Sequence, residues 1–111
     1  MAQAIYVHEG GSIDYTPAAD VAAGDVVVQA DLVGVAKLDI KAGQLGALAV
    51  DGVFDFAKAL GAGTAIAVGA VVYWDDAANQ ATTTATGNKQ VGKCVRAASD
   101  NDATVRVKLS Q

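Results

Sequence analysis

The chain has 111 residues, of which 52% are apolar but only 5% aromatic, and it carries a formal net charge of −4. That length suits one domain burying about two thirds of its unfolded surface, with a core of Val, Leu, Ile and Ala. Its eight Lys and Arg residues are scattered singly, which excludes the basic stripe that a nucleic acid partner draws on, and no window approaches the ~18 apolar residues of a membrane span.

In chain order, Ala4 to Val7 and Ile13 to Tyr15 read as two short strands joined through the Gly10-Gly11 turn, an N-terminal hairpin or arm over residues 1–16. Such a terminal segment either completes a sheet or reaches a neighbour. Pro17 interrupts the pattern and opens a β core over residues 17–111. Val26-Val27-Val28 and Leu32-Val33-Gly34-Val35-Ala36 are continuous apolar runs bounded by turn residues, as expected of strands buried on both faces.

The stretch Asp39 to Phe56, DIKAGQLGALAVDGVFDF, holds a glycine turn, a strand over Leu45 to Val50, and an Asp51-Gly52 turn that sends the chain back as Val53 to Phe56. Gly69 to Asp75 is a strand rich in residues of high β propensity. Gln80 to Thr86 has the polar composition of an edge strand, and Lys89 to Ala97 returns beside it. In the closing segment Val105, Val107 and Leu109 alternate with Thr104, Arg106 and Lys108, which predicts one dry and one wet face. Ala57 to Val68 is read as a loop with at most one helical turn, because Gly61 and Gly63 break it.

One punctuation recurs. An aliphatic residue, two intervening residues, a glycine, one more residue and an aliphatic occur at Val21 to Val26, Ile40 to Leu45 and Ile66 to Val71, and each glycine is placed to turn the chain into a new strand. A second echo links Val33-Gly34-Val35-Ala36 to Val91-Gly92-Lys93-Cys94. Together they predict two related β units, 24–40 and 69–97, at a spacing too irregular for a solenoid. The fold class is therefore all-β, a small barrel or sandwich of short strands.

Chemistry is sparse. Cys94 is the single cysteine and reads as a small core residue. His8, the single histidine, sits beside a glycine turn without an evident nucleophile or orienting group. Asp51 with Asp55, and Asp75 with Asp76, fall where turns already favour Asp, and the calcium-loop spacing is missing. No catalytic, metal or cofactor site is assigned. Tyr73 and Trp74 are flat enough to stack on a sugar, although neighbours on a strand point to opposite faces. The start, MAQAIYVHEGG, lacks the basic and apolar regions of a signal peptide, which predicts synthesis in the cytoplasm without export.

The segments GDVVVQADLVGVAKLDIKAGQLGALAVDGVFDF, GAVVYWD, VGKCV and VRVKL resemble the small phage proteins of the DUF2190 family, regarded as capsid cement or decoration proteins. The likeness runs from about Tyr6 to Leu109, and its most specific pieces are Leu32 to Ala36, Gly52-Val53-Phe54 and Val72 to Asp75. It implies a virion component, made in the bacterial host, that binds the outside of an expanded icosahedral head, with the major capsid protein as partner and a homotrimer as the assembly. It implies no catalytic motif. Residue type, since aromatics are enriched at interface centres, marks Tyr6, Tyr15, Phe54, Phe56, Tyr73 and Trp74 as candidate interface or core residues. The alternative function is a carbohydrate- or small-ligand-binding β module centred on Trp74, and an enzyme using His8 ranks third.

Overall fold

The computed structural model describes residues 3–111. Among these residues nine strands form two antiparallel sheets: β1 (Ser12–Tyr15), β2 (Val26–Gln29), β3 (Leu32–Ala36), β4 (Gly46–Ala49), β5 (Val53–Ala57), β6 (Val71–Asp75), β7 (Gln80–Thr82), β8 (Lys89–Arg96) and β9 (Thr104–Leu109). The small sheet runs β1-β4-β3-β2 and the large one β5-β9-β8-β6-β7. Among the described residues there is no helix. Of the two all-β shapes expected, the sandwich is the one found. A parallel bridge between Lys58 and Ala81 draws the open edges of the large sheet toward each other without closing it as a barrel.

The register explains which side chains meet. Val26 lies opposite Val35, Val28 opposite Val33 and Val35 opposite Ala49, so one face of the small sheet presents valines to the large sheet. There they join Phe56, Val72, Trp74, Val91, Cys94, Val105, Val107 and Leu109 in the main core. The other face of the small sheet gathers Ala36, Ile40 and Leu48, with Ile13, Tyr15, Val21 and Val27 against them, in a satellite cluster. β3 is thus buried on both faces. In β9 the alternation read from the sequence holds: Val105, Val107 and Leu109 are buried, and Thr104, Arg106 and Lys108 are exposed. β8 departs from strict alternation: a register shift against β6 at Val91 lets Val91 and Cys94, three residues apart, both enter the core, and a second against β9 lies between Cys94 and Arg96.

The two echoes correspond to one repeated construction. Turns closed by Asp25 N–H to Ala22 O at 3.0 Å, Gln44 N–H to Lys41 O at 3.0 Å and Ala70 N–H to Ala67 O at 3.1 Å carry Gly24, Gly43 and Gly69 at φ of 91°, 75° and 85°. A positive φ at the third turn position is where glycine is cheapest. Beyond the turn, Gly24 N–H donates to Ala36 O and Ala36 N–H to Asp25 O. In the same way Gly69 N–H donates to Cys94 O and Cys94 N–H to Ala70 O. The bridge Val21 to Ile40 is matched by Ile66 to Ala98. Ala36 and Cys94 therefore occupy equivalent places, and β7 with its flanking turns is the insertion in the second unit.

Three expectations are corrected. Ala4 to Val7 forms no strand; Ser12–Tyr15 pairs instead with β4, Ile13 opposite Leu48, so the early segment does not fold as a hairpin. Asp51-Gly52 turns, with Gly52 at φ 103°, but it is not the tip of a hairpin. Val50 N–H still bonds Gly11 O on the small sheet, while Gly52 O already accepts from Leu109 N–H, so the link steps from one sheet to the other. Finally, the strand expected over Gln80 to Thr86 stops at Thr82, whose hydroxyl accepts the Thr84 N–H at 3.2 Å. Thr side chains that bond nearby backbone in this way compete with a ladder.

Candidate functional site

Several of the titratable groups hold strands and turns. Across the wet face of the large sheet, Arg106 grips Asp55 through Nε at 2.9 Å and its second guanidinium nitrogen at 3.1 Å, and the guanidinium holds the Asp55 carboxyl below its ordinary pKa. Asp51 is likewise lowered, first by the Gly52 N–H and then by Lys108, whose Nζ lies 3.2 Å away. Asp75 accepts the N–H groups of Ala77 and Ala78. Asp76 accepts the indole N–H of Trp74 at 3.2 Å. Neither carboxylate pair noted in the sequence thus acts as a pair. His8 stands exposed beside the Glu9 carbonyl. Among the described residues no three His, Cys, Asp or Glu side chains gather as metal ligands.

The six aromatic candidates separate into three groups. Phe56 and Trp74 are core residues, their rings 5.8 Å apart, because β5 and β6 turn these positions toward the small sheet. Trp74 is only 5% exposed, so it offers no face for a sugar, and the module built on Trp74 loses its stacking residue. Phe54 is half-buried against the same core, 6.4 Å from Phe56 between ring centroids; Tyr73 is half-buried too, and Tyr15 packs on the satellite cluster. Tyr6 alone is free, 75% exposed, with Ile5 and Val7 beside it both at 81%.

Those aliphatic neighbours, together with exposed Leu38 and Leu45, are surface features that a search for aromatics passes over. Leu38 and Leu45 border a groove of about 310 Å³ between the β3–β4 connection and the exposed end of β4. Leu38 had a signal in the sequence, an aliphatic residue between Lys37 and Asp39 outside any expected strand, whereas Leu45 was read as the first residue of a strand that begins only at Gly46.

Against known protein families, residues 7–109 match the model of the phage cement proteins. The chain belongs to the phage cement protein family. The match spans both sheets and the whole of the repeated construction, and it ties this chain to the phage capsid as a structural, capsid-associated component. No curated protein and no solved structure is significantly similar to it.

Proposed function

We propose that this cement protein is a non-enzymatic coat component that binds the exterior of the assembled, expanded capsid as a homotrimer and stabilises the shell by bridging neighbouring copies of the major capsid protein. Family membership over residues 7–109 carries the reading. Several physical features support it. A ligand that binds only the assembled state shifts the equilibrium toward that state, and weak contacts repeated through a trimer gain from effective concentration. The carboxylates of Asp51, Asp55 and Asp75 are committed to cross-strand and turn contacts, as befits a protein that works by fit. The net charge of −4 disfavours adhesion to packaged nucleic acid. The protein is made in the host cytoplasm, acts as one β domain, and ends on the outer surface of the virion.

Light scattering on purified protein, followed by co-sedimentation with expanded and unexpanded heads, tests the proposal. A trimer that sediments only with expanded heads is the expected result. A monomer that sediments with neither would overturn it.

A further inference from the structure

Three exposed side chains in a row, Ile5, Tyr6 and Val7, belong to a segment of high β propensity that finds no strand to pair with in its own chain. The molecule is elongated: its longest dimension is 51 Å and its radius of gyration 15.0 Å, against a radius of about 13 Å expected for a compact chain of this size. Apolar side chains so arranged are costly in water and characteristic of a surface that is covered in use.

The groove bordered by Leu38 and Leu45 is complementary in kind. Its walls include exposed Leu38, Leu45 and Ala47, and its rim carries Lys37, which makes no ion pair among the described residues, and Lys41, held loosely to Asp20 at 3.7 Å. Seated as an added strand, the arm would turn Ile5, Val7 and Glu9 to one side, since alternate residues of a strand share a side: two aliphatics for Leu38 and Leu45 and a carboxylate for Lys37, with the Tyr6–Glu9 hydrogen bond of the free arm given up on docking.

We infer that this groove receives the N-terminal arm of a second copy of the chain. The arm's own groove is an unsuitable target, because Ser12 lines it and only Gly10 and Gly11 separate Ser12 from the arm, so the arm would have to fold back over its own root. An arm seated in the next subunit is a heterologous contact that closes into a ring when the rotation permits. The inference rests on the homotrimer proposed above and gives it a mechanism.

Two variants that each add one cysteine test it, Val7→Cys and Leu45→Cys, made with different tags and mixed under oxidised glutathione; native Cys94 is buried and inert to such exchange. A mixed disulfide between the two tagged chains is expected. Disulfide formation only within a chain carrying both substitutions, and none between mixed single variants, would overturn the inference. In parallel, Ile5→Ser with Val7→Ser is expected to reduce the scattering mass to the 11.1 kDa of one chain. Glu9→Lys should weaken assembly several-fold, and adding Lys37→Glu should restore it. If the double serine variant stays trimeric but no longer binds heads, the arm docks on the capsid protein; the inference then fails while the cement function stands. If wild-type protein neither assembles nor binds heads, both fail.

Discussion

Lys58 is 5% exposed, an unusual place for an ammonium that meets no carboxylate within ion-pair distance among the described residues. Its Nζ is satisfied by the Ala59 carbonyl at 2.6 Å, the Thr64 hydroxyl at 3.1 Å and the Asp100 carbonyl at 3.3 Å, while Asp100 Oδ1 accepts the N–H groups of Thr64 and Ala65. The side chain thus ties the loop after β5 to the turn before β9. Burying a charge is tolerable only with such hydrogen bonds, and removing the donor leaves the acceptors stranded. Lys58→Met, which keeps the apolar stem, should lower stability by about 1–3 kcal/mol, read as a shift of the urea midpoint with unchanged slope. An unchanged midpoint would mean that water or neighbouring donors replace the ammonium. None of this was legible in the sequence, where Lys58 looked like one more scattered surface lysine in a loop.

The strands carry a matched constraint in the Val-Gly echo of the two units. A Cβ built on Gly92 would lie 1.9 Å from the Lys108 carbonyl oxygen, and one built on Gly34 would lie 2.8 Å from Leu48 Cβ. Each glycine lets the neighbouring strand, β9 or β4, approach its central strand more closely than any side chain would allow. Gly92→Ala therefore has to push backbone apart and should cost upward of roughly 3 kcal/mol, near the top of the range for overpacking; calorimetry on the variant checks this, and a melting temperature within a degree or two of wild type would refute it. The same comparison shows what sequence patterns convey. Alternation in β9 and the glycine turns at Gly24, Gly43 and Gly69 were legible because they are local rules of pleat and backbone angle. The destination of a strand was not: Ile13 to Tyr15 and Val53 to Phe56 were recognised as extended, yet their partners, β4 and β9, are chosen by long-range packing of Leu48 and Val107 that no local window contains. The aromatic rule likewise selected Phe56 and Trp74, since a side chain large enough for an interface is also what a thin aliphatic core needs.

For the molecule as a whole, the lowered carboxylates set a direction for pH dependence. Asp31 is held down by Lys89, Asp51 by the Gly52 N–H and Lys108, Asp55 by Arg106, and Asp102 by the Ser99 N–H. A carboxyl whose folded pKa lies below its unfolded value binds fewer protons when folded, so its contribution is present above the unfolded pKa and fades as pH falls through the folded one. Stability is expected to be flat near neutrality and to fall below about pH 4, with a smaller drop in 1 M salt because exposed pairs are screened. Thermal melts across pH 2–7, a range of about the width these groups require, check this. A loss of stability that sets in well above the carboxylate range would refute it.

The step at Asp51-Gly52 divides the chain in an orderly way. Everything before it that is hydrogen-bonded into a sheet lies in the small sheet, and everything after it lies in the large one. A peptide-bond cut at this exposed link would therefore sever no strand ladder. Each fragment would retain a complete set of paired strands, and the two would be held together by the valine face of the small sheet and by the Gln111 side chain, whose amide oxygen takes the Val33 N–H at 2.7 Å. The protein is in this sense two interlocking pieces written on one chain, with the covalent join supplying proximity more than structure.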